Sequence, residues 1–314
     1  MATGGNPRVP KAQGMTMKVL VTGASGLIGR HVLRHLTERG CDVTAVSRGA
    51  IEEVGLRVLQ QDLLAPTAPA LIFDQIQPDI LIHLAWCTQH GQFWRSPQNL
   101  DWLARSCDLA SSAAQVGVKR IIMAGTCFEY EFPSDGDCIE RVTPLANHFP
   151  YDAAKDACRR ACAAVLKQQG VSFSWARLFH LYGPHEHPDR LVASVARSLV
   201  AGQPALCSSG TVLRDYMHVS DAGAGIAALA LSPVDGEVNI ATGKAVSVAE
   251  IATTLGELAS LPQLVRLGAL PDRADDPPRI VASVRRLIDE VGFRPRYTLQ
   301  DGLAETLDWW RHQV

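Results

Sequence analysis

The feature that most constrains this chain is the run Thr22-Gly23-Ala24-Ser25-Gly26-Leu27-Ile28-Gly29. It follows the apolar run Lys18-Val19-Leu20-Val21 and opens a segment with Ile28, Val32, Leu33 and Leu36 at helical spacing. A short buried strand, a glycine turn and a helix in that order make one β-α unit. Gly23 allows the tight turn, Gly26 lets the backbone approach a pyrophosphate, and Gly29 lets the helix pack closely on the sheet. The start of the helix then offers N–H groups and partial positive charge to a phosphate. The plainer alternative is an ordinary strand-to-helix turn; three glycines at G-x-x-G-x-x-G spacing in the first β-α unit weigh against it.

From residue 17 to about 241, short apolar runs alternate with longer amphipathic ones, the pattern of β-α-β units on a parallel sheet. Strands are predicted at residues 18–22, 42–46, 57–59, 80–84, 120–123, 172–178 and 238–240. Helices are predicted at 27–39, 98–116, 151–169, 221–231 and 248–260, with a further amphipathic helix carrying Trp309 and Trp310 near the C-terminus. The regularity loosens after Arg177, with loops at 183–189 (GPHEHPD) and 270–279 (LPDRADDPPR). The expected fold class is α/β. A Rossmann-type doubly wound parallel sheet covers 17–180 and 215–241, and a smaller, interleaved C-terminal substrate-binding lobe covers 181–214 and 242–314.

Composition excludes several classes. The 30 Lys and Arg against 32 Asp and Glu leave a net charge of −2, so no basic excess points to nucleic acid or to a membrane surface. No stretch approaches the ~20 apolar residues of a membrane span. Residues 1–16 lack an apolar signal core and are expected to form a disordered leader, with Met15 or Met17 as alternative starts. None of the eight cysteines belongs to a C-x-x-C pair, which suits buried thiols in a reducing, cytoplasmic setting. His185, Glu186 and His187, or His31 with His35, lack the further ligands of a metal site, so no metal is expected.

The second strand ends Ala45-Val46-Ser47-Arg48, where a dinucleotide fold meets the adenosine ribose. A hydroxyl and a guanidinium without a carboxylate favour the 2′-phosphate of NADP(H); NAD(H) with Arg48 as a solvated surface cation is the alternative. Asp62 and Leu63 follow the third strand, at the adenine side. Tyr151 and Lys155, four apart, share one helix face. A phenol is a weak acid at neutral pH, and a lysine ammonium beside it is expected to lower its pKa and to bind the nicotinamide ribose.

With these pieces in order, the chain resembles an extended short-chain dehydrogenase/reductase of the nucleotide-sugar epimerase/dehydratase/reductase family. The matching residues are 22–29, Asp62-Leu63, His83-Leu84-Ala85, Ala124-Gly125-Thr126-Cys127-Phe128-Glu129-Tyr130, Tyr151 with Lys155, residues 177–184 (RLFHLYGP), residues 214–219 (RDYMHV) and Arg273-Ala274-Asp275-Asp276. The resemblance spans residues 17 to about 310. It implies cofactor contacts at Gly23, Ser25, Gly26, Leu27, Ile28, Gly29, Ser47, Arg48, Asp62, Leu63, Leu84 and Ala85, together with Tyr151 and Lys155. It further implies Thr126 as hydrogen-bond partner of the reacting sugar oxygen, Tyr151 as general acid/base and Lys155 as its ribose-binding partner. Arg214 and Arg273 match arginines that hold the sugar diphosphate, a role suited to bidentate guanidinium, with a surface salt bridge as the alternative for each.

Two departures from the family pattern carry information. Dehydratases of the family place acids directly after the catalytic Thr, where this chain has Cys127 and Phe128. Glu129 lies one residue further, where an extended segment would turn it to the other face. Cys127 is one position early for the proton-exchanging Cys of the epimerase/reductases and is expected to be a packed thiol. His180 replaces the usual Asn, either supporting the diphosphate or lining the sugar pocket, or else sitting as a satisfied histidine. Trp86, with Gln89, His90, Phe93 and Trp94, follows the fourth strand, where an aromatic loop suits a sugar face or a packed lid.

These residues favour an NADP(H)-dependent reductase of a nucleotide-activated keto sugar, an NDP-4-keto-6-deoxyhexose 4-ketoreductase. The alternative is an NAD-dependent nucleotide-sugar 4-epimerase using the same Thr-Tyr-Lys triad. A catalytically silent NADP-sensing protein is the third possibility, opposed by the intact triad. The expected partner besides the nucleotide-diphosphate sugar is a second copy of the chain, through the helices at 98–116 and 151–169. Ala154, Ala157, Ala161 and Ala164 allow close helix approach there or within the monomer.

Overall fold

A computed structural model describes residues 16–51, 55–146 and 148–313; nearly all of the expected leader lies outside them. Strand β1 (Lys18–Thr22) buries four of its five residues and leads through the glycine loop into α1 (Gly29–Glu38). There follow β2 (Asp42–Ser47), β3 (Arg57–Gln60), α2 (Ala68–Phe73), β4 (Ile80–His83), α3 (Gln98–Gln115), β5 (Arg120–Thr126), α4 (Pro150–Gln168) and β6 (Ser172–Leu178). The chain continues with β7 (His180–Tyr182), α5 (Leu191–Val200), β8 (Ala205–Leu206), β9 (Leu213–Arg214), β10 (Tyr216–His218), α6 (Val219–Ala230) and β11 (Gly236–Ile240). It ends with β12 (Val246–Ser247), α7 (Val248–Leu258), β13 (Val265–Arg266), β14 (Arg279–Ile280) and α8 (Leu299–Arg311).

Seven strands form one parallel sheet in the order β11-β6-β5-β4-β1-β2-β3. Helices cover both faces, which is why the central strands read as unbroken apolar runs. On one face Val32, Leu33 and Leu36 of α1 and Ala222, Ile226 and Leu229 of α6 meet the sheet. On the other, α2, α3 and α4 contribute Ile72, Leu109, Ala113, Ala154 and Leu166. Strand order reverses between β1 and β4, and the crevice beyond their carboxyl ends is where such sheets bind ligands.

A separate core joins Tyr182, Val192, Val195 and Leu199 to Ile251, Leu255, Leu303, Leu307 and Trp310. It brings α5, α7 and α8 together; α6 and β11, which lie between them in sequence, return to the main sheet. No helix among the described residues is long and apolar enough to cross a membrane. Strand β5 runs three residues past its predicted end, because Ala124, Gly125 and Thr126 keep pairing with β6. Helix α5 was not predicted; it follows the 183–189 loop and buries Val192, Val195, Ala196 and Leu199 along one stripe.

Candidate active site

The glycine loop is shaped by contacts that tolerate no side chain. Gly23 has φ +68°, and a Cβ there would lie 2.7 Å from the Ala85 nitrogen and 2.9 Å from the Leu84 carbonyl carbon. A Cβ on Gly29 would drive into the carbonyl oxygens of Gly23 and Ala24. At Gly26, among the described residues beyond its chain neighbours, a Cβ would meet only the Gly23 oxygen, at 3.1 Å. Its outward side is therefore open, with Ser25 and Gly26 exposed and no side chain capping α1. Backbone N–H groups and the helix dipole converge on this opening, so the loop fits the pyrophosphate of a dinucleotide.

Ser47 Oγ donates to Ser25 Oγ at 3.1 Å, tying the end of β2 to the loop, and Arg48 beside it is exposed. Asp62 accepts from the Leu64 N–H at 3.1 Å in a local turn, and Leu63 is buried. Arg30, absent from the expected contacts, donates to the Ser25 carbonyl at 3.4 Å, and its Nε is buried without a partner. The signal was available: a cation in the first turn opposes the helix dipole unless an anion is meant to sit there.

Thr126 ends β5 and caps a 3₁₀ turn, Cys127–Glu129. The Phe128 N–H donates to Thr126 Oγ1 at 3.3 Å, and the Thr126 N–H donates to Glu129 Oε1 at 2.9 Å, a capping box. The segment is thus a turn rather than the expected extended stretch, and it carries Glu129 into the interior. There the fully buried carboxylate accepts from Trp175 Nε1 at 2.9 Å and from Arg177 Nε at 2.8 Å. Arg177 also donates to the Tyr130 hydroxyl at 3.1 Å, which in turn donates to Asn239 Oδ1 at 2.9 Å. Gly125 makes room for this cluster, since a Cβ there would collide with the Trp175 indole and come within 2.7 Å of Glu129 Oε1. Cys127 is buried with Tyr130, Cys138 and Phe179, and burial pushes its thiol pKa well up.

Helix α4 begins at Pro150, where Asp152 accepts from the N–H groups of His148 (2.6 Å) and Phe149 (3.0 Å). This places Tyr151 in the first turn, its N–H donating to the Trp94 carbonyl at 3.2 Å. Burial and then the Glu129 charge raise the Tyr151 pKa, with the nearby Thr126 side chain acting in the opposite direction. The expected lowering by Lys155 is outweighed by burial, and the Lys155 ammonium donates to the Ala124 carbonyl at 2.8 Å. It also lies 3.9 Å from the Trp86 ring centroid, and burial lowers its pKa to about 8. Beneath them, His83 bridges Thr22 Oγ1 (2.7 Å) and Ser106 Oγ (2.9 Å); burial, and then the Lys155 charge, hold its pKa at about 3.

Trp86, expected either to meet the sugar or to pack under a lid, is buried against Lys155, with its Nε1–H donated to Asn99 Oδ1 at 2.8 Å. The aromatic residues beside Tyr151 are Phe93 and Trp94, with ring centroids 4.9 and 5.5 Å away. Their loop is pinned by Asn99, which donates to the carbonyls of Phe93 (2.7 Å) and Ser96 (2.9 Å). Trp94 meets Phe128 edge-on at 4.5 Å, and Phe128 lies 6.2 Å from the ring of His180. His180 Nδ1 is buried without a partner; burial, and then Arg214 and Arg190, hold its pKa at about 3.

Arg214 is buried, donating to the carbonyls of Leu213 and Pro277 at 2.8 Å and to Asp276 at 2.6 Å. Arg273 lies exposed on the same loop as Asp276; its carbonyl accepts from the Asp276 N–H at 3.3 Å, and its side chain makes no hydrogen bond or ion pair with described residues. The structure therefore gathers Thr126, Tyr151 and Lys155 at one place and brings His180 alongside through Phe128, while Arg273 sits on the exposed loop whose Asp276 pairs with Arg214. Arg190, half-buried at the end of the 183–190 loop, is within electrostatic reach of Tyr151, His180 and Tyr216. No local sequence pattern marked it.

The family model for the NAD dependent epimerase/dehydratase family matches residues 19–241. The chain is 25% identical over 316 residues to UDP-glucuronic acid decarboxylase 1 of Xenopus tropicalis, covering 95% of this chain and 73% of that protein. It is 27% identical over 240 residues to the dTDP-6-deoxy-L-talose 4-dehydrogenase (NAD(+)) of Aggregatibacter actinomycetemcomitans, covering 73% of this chain and 85% of that protein. Among solved structures, the UDP-glucose 4-epimerase of Thermus thermophilus in complex with NAD superposes with a TM-score of 0.83. Identity there is 26%, and the match covers 95% of this chain and all of that one.

Proposed function

The chain belongs to the NAD dependent epimerase/dehydratase family, and we propose that its own reaction is the reduction of a nucleotide-activated 4-keto sugar, an NDP-4-keto-6-deoxyhexose. The observation that carries this reading is the commitment of Glu129. Its carboxylate is locked into the Thr126 capping box and the Arg177 ion pair, and residue 128 is Phe. Among the described residues no free carboxylate neighbours Thr126 in sequence to remove a carbon-bound proton, so water elimination is disfavoured and proton transfer at the sugar oxygen falls to Tyr151.

The residues that would hold a nicotinamide dinucleotide are those of the open glycine loop, the end of β2 and Lys155. The chemistry such a group supplies when bound is hydride transfer. Tyr151, whose raised pKa keeps the phenol protonated, delivers a proton to the developing alkoxide. Thr126, beside it, orients the same oxygen. Lys155 holds the ribose side, and the Phe93–Trp94 loop excludes water. His180, Arg190, Arg214 and Arg273 would receive the nucleotide diphosphate.

The exposed Arg48, with no acid at position 47 or 48, supports NADP(H); the NAD named for two of the relatives supports NAD(H). Replacing Arg48 by Ala should reduce the preference for NADPH over NADH about tenfold or more, the value of a charge-assisted hydrogen bond. The second reading, a 4-epimerase that oxidises and re-reduces one carbon, is favoured by the likeness to the Thermus epimerase. Assay of the purified protein with NADPH and a panel of TDP-, GDP-, UDP- and CDP-keto sugars separates the two. Stoichiometric, tightly held NAD with no NADPH consumption on any keto sugar would reject the reductase. A homodimer through α3 and α4 is also proposed. Ala157, Ala161 and Ala164 lie exposed along α4, with Leu100 and Val165 also exposed, while Ala154 is buried within the monomer. Light scattering that found a monomer at micromolar concentration would reject it.

A further inference from the structure

Three of the eight cysteines converge at one point that the proposed reaction does not use. Cys107 on α3 faces Cys158 and Cys162, which lie one turn apart on α4, and the three sulfur atoms lie within 4.8 Å of one another. The Cys107 and Cys162 sulfurs are 4.0 Å apart. Metal–thiolate bonds are about 2.3 Å long, so three sulfurs around one metal ion stand about 3.8–4.0 Å apart in tetrahedral or trigonal geometry. The side chains already rest near that spacing. Cys158 and Cys162 are buried, and Cys107 is half-buried and leaves one side of the cluster toward solvent.

We propose that Cys107, Cys158 and Cys162 form a binding site for a thiophilic divalent cation of the zinc class. Three thiolates and one solvent molecule on the Cys107 side complete four-coordination. Thiolate ligands select soft and borderline cations over magnesium or calcium. Each coordinated thiol releases its proton, so a divalent ion with three thiolates carries one net negative charge. The buried ammonium of Lys155, one turn before Cys158 on the same helix and within its electrostatic reach, supplies the balancing positive charge. Occupancy of the site therefore bears on the protonation of Lys155. A cuprous ion with three thiolates would carry two negative charges against this single cation, which makes it the poorer fit.

The test is titration of the full-length, reduced protein with Cd²⁺, read by thiolate-to-metal charge-transfer absorption, and with Zn²⁺ and Cu⁺ against competing chelators. The expected result is one Cd²⁺ or Zn²⁺ per chain and at least a tenfold loss of affinity in Cys107→Ser and in Cys158→Ser. Because a serine in this core could impair folding, the wild-type protein provides a second readout: one equivalent of Zn²⁺ should protect Cys107 from alkylation. Absence of the charge-transfer band, unprotected Cys107, affinities unchanged by both substitutions, or binding of Cu⁺ alone would overturn the proposal. So would a reduced protein that takes up no metal and merely oxidises to a Cys107–Cys162 disulfide.

Discussion

The ammonium of Lys155 lies 3.9 Å from the centroid of the Trp86 indole and donates to the Ala124 carbonyl at 2.8 Å. An aromatic face and a strand carbonyl thus hold the cation, and Asn99 holds the indole. A buried cation over an aromatic ring is worth about 2 kcal/mol. Replacing Trp86 by Leu should loosen Lys155 and lower kcat about tenfold while leaving the KM for the nucleotide sugar nearly unchanged. A residue that touched the sugar would instead raise KM, so steady-state kinetics distinguish the two roles.

Tyr151→Phe removes the proton donor and little else, because the ring keeps its contacts with Phe93 and Trp94. Turnover should fall about 10²–10⁴-fold with no large change in thermal midpoint. Undiminished turnover in a correctly folded variant would remove Tyr151 from the chemistry.

Arg177 and Glu129 form a buried pair, and breaking it from one side leaves an uncompensated charge in the core. Arg177→Met should cost about 3–5 kcal/mol in denaturant unfolding. Glu129→Gln should weaken stability but retain turnover to within about tenfold, far short of the loss that follows removal of an acid/base group. A stable Glu129→Gln protein with turnover reduced more than about a thousandfold would return Glu129 to the reaction.

His83 is neutral in the folded chain because burial lowers its pKa from 6.5 to about 3. Below pH 6.5 the unfolded chain binds a proton that the folded one refuses, so stability falls as pH drops from 6.5 toward 3. The slope is on the order of 1 kcal/mol per pH unit for a single group. His180, with the same downward shift, adds a contribution of the same sign. Urea unfolding at about pH 5 and about pH 7 checks this, and His83→Gln should show the shallower dependence.

The glycine loop and its cradle were legible because their determinants are local: each glycine is required by an atom within the same β-α unit or by the adjoining strand end. Tyr151 and Lys155 were legible from helical spacing. The inward turn of Glu129 carried a sequence signature as well, since Thr126-Cys127-Phe128-Glu129 is a capping-box pattern. Continuing the strand instead placed the carboxylate on the wrong face. Trp86 and Arg190 were not legible. Trp86 is oriented by partners from other elements, Asn99 and Lys155, and Arg190 matters only because the fold brings Tyr151 and Tyr216 within its reach.

His90, in the loop after β4, and His187, in the loop after β7, stack with ring centroids 4.5 Å apart. A single ring-on-ring contact of this kind is worth about 0.5–1.5 kcal/mol, only about one to three times thermal energy. That contact therefore ties the loop after β4 to the loop after β7 only weakly.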